Sequence, residues 1–143
     1  MNILILSRSQ SLYSTNRILE VGLERGHDIR VVDYMRCYMN IESKNPSVYY
    51  GGESLYNSSV IIPRIGASVT SYGTAVVRQF ELMGCYCVNT SDAILNSRDK
   101  LKALQILSNR GISLPDTGFA SHTKDIEVVI EKVGSVPLVM KLL

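Results

Sequence analysis

An arginine and two lysines are the side chains of this sequence best suited to bind an anionic ligand. Arg64 follows the β-branched run Val60–Ile62, and a guanidinium can hold a carboxylate or a phosphate through two parallel hydrogen bonds. Lys141 interrupts the apolar run Pro137–Leu143, where an ammonium is costly to bury unless an anion meets it. Lys100 stands at the start of a helical pattern and could contact the same kind of ligand.

Each of these cations also has a simpler interpretation. Arg64 could pair with a surface acid near a loop, and Lys141 could extend to solvent from a strand end. Arg8, which follows the first apolar run, is a weaker candidate for an anion site. His27 and His122 have no base or metal partner nearby in the sequence, so we expect surface roles for both. No general base and no set of metal ligands is evident.

A strand–helix–strand pattern must position the first of these residues. Ile3–Leu6 and Ile29–Asp33 predict two strands around a helix that begins at Ser14 or Thr15 and ends near Gly26. Such a βαβ unit makes a parallel pair with a right-handed crossover. Ligands of open α/β sheets bind outside the carboxyl ends of the strands, which is where an arginine following a third strand would lie.

The pattern continues with a hairpin and a second βαβ unit, which together predict an α/β fold with a mostly parallel sheet. The predicted elements are an extended segment at Cys37–Ile41, a hairpin with a primed turn at Gly51 and Gly52, a strand at Val60–Ile62, a helix from Ser68 or Thr70 to about Met83, and a strand at Cys85–Val88.

The composition changes at Asn89, and we place a domain boundary nearby, with domains at 1–93 and 94–143. The second part predicts helices at Ala93–Asn96, from Arg98 to about Asn109 and after a Thr123 cap, and strands at Thr117–Ala120 and Pro137–Leu143. A final apolar strand with no following element would leave an exposed sheet edge. We therefore expect the second domain to be truncated.

Composition excludes several classes of protein. The 143 residues are 45% apolar and 20% charged, with a formal net charge of +2, so bulk charge gives no case for nucleic-acid binding. No run is long enough to cross a membrane and no leader is recognisable, so we expect a cytoplasmic protein. Three cysteines without a CxxC spacing predict buried thiols.

The first turn argues against a dinucleotide site. The segment Ser7–Ser11 has none of the glycines of the GxGxxG pattern. Asp33, where a ribose-binding acid often lies, is therefore interpreted as a loop cap. A nucleotide-binding regulator of the Rossmann type is disfavoured on the same ground.

Several stretches together resemble the RimK family of ATP-grasp ligases, and the similarity runs along the whole chain. They are Ile3–Arg8, Cys37–Ile41, Ile62–Gly66, Tyr72–Ala75, Arg78–Glu81, Arg98–Leu101 and Pro137–Lys141. The resemblance implies a Rossmann-like pre-ATP-grasp domain followed by the start of an ATP-grasp domain.

The resemblance also implies an activity. RimK enzymes activate a carboxylate with ATP, as an acyl phosphate, and add L-glutamate to the carboxyl terminus of small-subunit ribosomal protein number six. Lys141 matches the strand lysine that binds ATP, and Lys100 matches a junction lysine that contacts the nucleotide. Arg64 is then a candidate for a substrate carboxylate. The ligands for Mg²⁺ or Mn²⁺ would lie beyond Leu143, so this chain alone would be inactive.

The partners implied are ATP, L-glutamate, the ribosomal protein and further copies of the full-length chain, without a membrane or direct nucleic-acid contact. Two other functions stay open at this point. One is a related ATP-grasp ligase with another amino acid or acceptor. The other is a non-catalytic assembly or regulatory module.

Overall fold

A parallel sheet around the first apolar run organises the amino-terminal part of the protein. The computed structural model describes residues 1–141 and divides the chain into two units, Met1–Arg98 and a second that begins at Asp99. The first unit contains β1 (Asn2–Leu6), α1 (Tyr13–Glu24), β2 (Asp28–Val32), β3 (Cys37–Asn40), β4 (Ser47–Tyr50), β5 (Glu53–Ser54), β6 (Val60–Pro63), α2 (Thr70–Leu82), β7 (Tyr86–Cys87) and α3 (Ser91–Arg98).

Four strands form the parallel sheet in the order β2-β1-β6-β7. The continuous apolar run of β1 has the sequence of a strand covered on both faces, and the structure confirms this. Ile3 and Ile5 pack with Ile29 on one face, while Leu4 and Leu6 belong to the larger core on the other. The mostly parallel α/β fold predicted from the sequence is therefore confirmed.

The register of the sheet fixes which residues leave it together. Leu6 pairs with Val32 of β2 and with Pro63 of β6. The backbone N–H of Ser7 donates to Val32 O (3.0 Å), and that of Arg64 donates to Leu6 O (2.8 Å). Because all three strands are parallel, the segments that follow them begin at one edge of the sheet.

The hairpin belongs to a second, antiparallel sheet of order β3-β4-β5. Gly51 and Gly52 have φ values of 58° and 85°, and two positive φ angles are typical of a type I′ turn. This confirms the primed turn predicted from the two glycines. Arg30 of β2 donates two hydrogen bonds to the Glu53 carboxylate, both 2.9 Å long, and so joins the two sheets.

Helix α2 packs against both sheets and carries much of the core. Val76, Val77 and Phe80 are fully buried. The Tyr72 hydroxyl donates to Cys37 O (2.7 Å), and the Gln79 amide donates to Asn40 O (2.9 Å). Tyr72 thus stabilises the contact between α2 and the second sheet.

Replacing Gly73 with alanine is expected to destabilise the protein. A Cβ at Gly73 would collide with the Cγ2 atom of Ile65 and lie 3.2 Å from Cε2 of Tyr34. Alanine in a helix interior gains about 1 kcal/mol over glycine, but overpacking a core costs about 1–3 kcal/mol. Because the crowded atoms are a branch methyl and a buried ring, the clash should prevail.

Urea unfolding of Gly73→Ala would measure this balance, with Ser71→Ala as the control on the same helix, since Ser71 is exposed. We expect a lower midpoint for Gly73→Ala and little change for the control. A higher midpoint for Gly73→Ala would contradict the tight packing of α2 on Ile65.

The second unit contains α4 (Lys100–Asn109) and α5 (Ile126–Lys132). Asp99 caps α4 by accepting a hydrogen bond from Lys102 N (2.9 Å). A 3-10 turn at Thr123–Asp125 precedes α5. Among the described residues of this unit no side chain is fully buried.

Two predicted strands do not form among the described residues. Thr117–Ala120 and the described part of Pro137–Leu143 are irregular, and Leu142 and Leu143 lie outside the described residues. A strand is stabilised by ladder hydrogen bonds to a neighbour, and no paired strand occurs in the second unit up to Lys141. The apolar pattern predicted an extended backbone without supplying that neighbour.

Predicted helix caps were wrong in three places. Helix α1 begins at Tyr13 without a side-chain cap. The Ser14 hydroxyl accepts from Arg64 instead, and the Thr15 hydroxyl lies 3.2 Å from that of Ser7. The Thr70 hydroxyl donates to Ala67 O (2.9 Å) instead of capping α2. His122, not Thr123, caps the turn before α5 by accepting from Lys124 N (3.2 Å).

Up to Lys141, no helix is both long and apolar enough to cross a membrane.

Candidate functional site

A cleft of about 350 Å³ opens at the carboxyl ends of β1 and β6. This volume is at the lower end of the range for ligand pockets. Its lining is Ser7, Arg8, Ser9, Leu12, Tyr34, Arg64 and Gly66. The structure therefore brings together the two arginines that sequence reasoning had singled out at strand ends, Arg8 and Arg64.

Serine hydroxyls hold the loop between β1 and α1 in shape. The buried Ser7 hydroxyl donates to Ser9 O (3.0 Å) and lies 3.2 Å from the Thr15 hydroxyl. The Ser9 and Ser11 hydroxyls are 2.7 Å apart. Short polar side chains that bond to nearby backbone groups favour such turns. The loop thereby presents Arg8 at the cleft without the glycines of a dinucleotide site.

Arg64 is hydrogen-bonded through one terminal nitrogen and forms no ion pair among the described residues. One of its terminal nitrogens, Nη2, donates to the Ser14 hydroxyl (2.9 Å). Across residues 1–141, neither Arg64 nor Arg8 forms an ion pair with a carboxylate. The alternative in which Arg64 pairs with a surface acid is therefore not what the described chain shows, and both guanidiniums have donors available for an anion.

Tyr34 forms the floor of the cleft. It follows β2 in a 3-10 turn (Tyr34–Arg36) that Asp33 caps by accepting from Met35 N (3.0 Å), which confirms the interpretation of Asp33 as a loop cap. The fully buried Tyr34 ring brings its hydroxyl to Gly66, whose N–H donates to it (3.0 Å). Because Tyr34 has no exposed surface, it shapes the cleft and holds Gly66 in place instead of contacting a ligand.

The amino end of α1 adds positive character to the cleft. Leu12 lines the cleft and is the N-cap residue of α1, with no side-chain cap and no acidic residue in the first turn. Unsatisfied N–H groups and the helix dipole favour an anion at this end of a helix. The cleft therefore combines two guanidiniums with a helix amino end, and both kinds of group are suited to negative charge.

Arg98 also supports the cleft. Its Nη2 donates to Ile65 O (2.8 Å), one residue after Arg64. The loop from Arg64 to Gly66 is thus held by Leu6 O, Tyr34 and Arg98 in turn. Sequence reasoning singled out neither Tyr34 nor Arg98 for this role, because their partners lie 32 and 33 residues away along the chain.

The two candidate lysines belong to the second unit. Lys100 is the first residue of α4, and Lys141 is the last described residue, in an irregular segment after α5. Both side chains are exposed. An exposed ammonium can bind a phosphate, and neither lysine forms an ion pair with a carboxylate within residues 1–141.

The cysteines do not offer a reactive thiol. Cys37 and Cys87 are buried, and burial, aided by nearby negative charge, raises the pKa of each thiol to about 12. Burial also raises the pKa of the half-buried Cys85 thiol. A thiol that stays protonated at neutral pH is a poor nucleophile and metal ligand. The predicted burial is therefore confirmed for Cys37 and Cys87, whereas Cys85 is only half-buried.

Residues 1–141 contain no group of three or more histidine, cysteine, aspartate or glutamate side chains that could hold a metal ion. The described residues therefore do not fit a magnesium site.

Comparison with known proteins places this geometry in a family. The model of the RimK pre-ATP-grasp domain matches residues 1–94, and that of the RimK-like ATP-grasp domain matches residues 97–143. The chain belongs to the RimK family. This membership agrees with the resemblance carried by the sequence motifs, and it makes the cleft part of a pre-ATP-grasp domain.

Curated relatives in the RimK family are longer than this chain. A probable alpha-L-glutamate ligase of Vibrio parahaemolyticus is 59% identical over 143 residues, which is all of this chain and 48% of the relative. The protein of the same name from Hydrogenovibrio crunogenus is 58% identical over the same share. The chain therefore spans about half the length of the curated relatives it matches.

Solved structures share the fold at low identity. The ATP-grasp ligase PsnB, solved with a phosphomimetic variant of its minimal precursor, Mg and ADP, matches with a TM-score of 0.71 and 17% identity. That match covers 94% of this chain and 52% of PsnB. The macrocyclase MdnB from Microcystis aeruginosa matches with a TM-score of 0.66 and 14% identity, over 93% of this chain and 52% of MdnB. At this identity the likeness establishes the ATP-grasp ligase fold alone.

Proposed function

We propose that the protein carrying this sequence is an ATP-dependent carboxylate–amine ligase that adds L-glutamate to the carboxyl terminus of small-subunit ribosomal protein number six. The observation that carries the proposal is the identity of 57–59% along all 143 residues to proteins named probable alpha-L-glutamate ligase. The two arginines of the cleft support it, because they pair with no carboxylate in residues 1–141 and both substrates of such a ligase are carboxylates.

The reaction has two steps. A carboxylate oxygen of the acceptor attacks the γ-phosphorus of ATP, and ADP leaves. The amine of glutamate then attacks the acyl carbon of the resulting acyl phosphate, loses a proton and expels phosphate, which leaves an amide bond. Phosphoryl transfer is accelerated by positioning and by neutralising charge on the phosphates. We assign that role to Lys141 and Lys100, and we assign a substrate carboxylate to Arg64.

Mg²⁺ or Mn²⁺ would be held by ligands in the part of the ATP-grasp domain that the longer relatives possess. The 143-residue chain by itself would then be inactive as a ligase. We further propose a cytoplasmic location and a homo-oligomer for the longer enzyme.

Mass spectrometry of ribosomal protein number six from a strain that lacks this gene tests the assignment of the acceptor. We expect the protein to lose its added glutamyl residues and to regain them when the full-length gene is restored. Unchanged glutamate tails in the deletion strain would contradict this acceptor and favour a related ligase with another substrate.

A further inference from the structure

We propose that the cleft at the carboxyl ends of β1 and β6 binds the terminal glutamyl residue of the acceptor chain, and not free glutamate. This inference rests on the proposed function, because it names which of the two carboxylate substrates the cleft takes. A glutamyl residue at a chain end carries two carboxylates, one on the main chain and one on the side chain. Its nitrogen is acylated and uncharged.

The charge of the lining supports this choice. Arg8 and Arg64 supply two positive charges, and none of the seven lining residues is acidic. An acylated terminal glutamate has a charge of −2, which matches the two guanidiniums. Free glutamate has the same two carboxylates but also an ammonium, which is costly to desolvate without an anionic partner. The lining offers that ammonium no carboxylate and places it beside two cations.

The hydrogen-bond donors of the cleft also favour an acylated glutamyl residue over free glutamate. Each arginine can donate a pair of parallel hydrogen bonds to one carboxylate, and Nη2 of Arg64 is already oriented by Ser14. Neither guanidinium pairs with a carboxylate in residues 1–141. The remaining donors of the two arginines suit a ligand whose charged groups are all acceptors.

Calorimetric titration of the full-length protein, without ATP, tests the inference apart from any turnover. The probes are N-acetyl-L-glutamate, which has both carboxylates and an acylated nitrogen, N-acetyl-L-glutamine, which has one carboxylate, and L-glutamate. Removing a hydrogen bond to a charged group lowers affinity about tenfold or more. We expect N-acetyl-L-glutamate to bind at least about tenfold more tightly than N-acetyl-L-glutamine.

Two variants locate the binding. Arg8→Gln and Arg64→Gln should each weaken N-acetyl-L-glutamate by about tenfold or more, while the affinity for L-glutamate changes by less than about twofold. Arg25→Gln is the matched control, since this exposed arginine follows the carboxyl end of α1, about 18 Å from the amino end that lines the cleft. The control should leave the affinities for all three probes unchanged.

Two results would overturn the inference. One is wild-type protein that binds no N-acetyl-L-glutamate, and the other is an arginine substitution that weakens L-glutamate as much as the acetylated probe. A different result would contradict the proposed function alone. A protein that binds N-acetyl-L-glutamate through Arg8 and Arg64, yet forms no amide bond with ATP and glutamate present, would refute the ligase activity and leave the site standing.

Discussion

Replacing Lys141 with glutamine in the full-length protein is expected to lower kcat/KM for ATP by about 100-fold or more. Glutamine keeps much of the length and the polarity of lysine but removes the positive charge. In a phosphoryl transfer without a covalent protein intermediate, the loss of one donor aimed at the phosphates weakens the stabilisation of the transition state directly. Initial rates of phosphate release at varied ATP would measure the change.

Lys132→Gln is the matched control for Lys141, because Lys132 is an exposed lysine at the end of α5 in the same unit. The control should retain wild-type kinetics, and Lys141→Arg should recover part of the loss because it keeps the charge. If Lys141→Gln had the same kcat/KM as the wild type, Lys141 would be an exposed lysine without a role in nucleotide binding.

Replacing Arg64 with alanine is expected to raise the KM for a carboxylate substrate by about 10- to 100-fold. Arg64 has donors that no acid engages in the described chain, and Ser14, Leu6 O and Arg98 hold it and its loop in place. The KM for ATP should change by less than about twofold, because the assigned nucleotide contacts are Lys141 and Lys100.

Arg64→Lys separates charge from geometry. Lysine keeps the charge but lacks the planar fork that binds a carboxylate through two hydrogen bonds, so its KM should fall between those of the wild type and Arg64→Ala. Equal kinetics for the wild type and Arg64→Ala, with ATP, acceptor and glutamate varied in turn, would leave Arg64 as an ordinary surface arginine.

Local sequence signals predicted most of the first unit. The run Ile3–Leu6 predicted a strand because consecutive apolar side chains are typical of a strand covered on both faces. Gly51 and Gly52 fixed the hairpin turn through their positive φ angles. Arg64 could be placed at the carboxyl edge of the sheet from Pro63 and the preceding β-branched run alone.

The cleft itself depends on contacts that no local pattern encodes. In the sequence, Tyr34 is an ordinary aromatic residue after a strand. Its role in the cleft follows only from the hydrogen bond that Gly66 N donates to its hydroxyl. The close fit of Gly73 against Ile65 has a similar origin. The predicted strand at Thr117–Ala120 failed for a related reason, because an extended segment forms a strand only where a neighbouring strand is present.

The measurement that tests the proposed ligase most directly is a reconstituted reaction analysed by mass spectrometry. Full-length protein, ATP, Mg²⁺ and L-glutamate are incubated with a peptide that matches the carboxyl terminus of small-subunit ribosomal protein number six. We predict that the peptide gains one or more glutamyl residues, that ATP is required, and that the 143-residue chain alone gives no product. A peptide of unchanged mass in the complete reaction would contradict the proposed function.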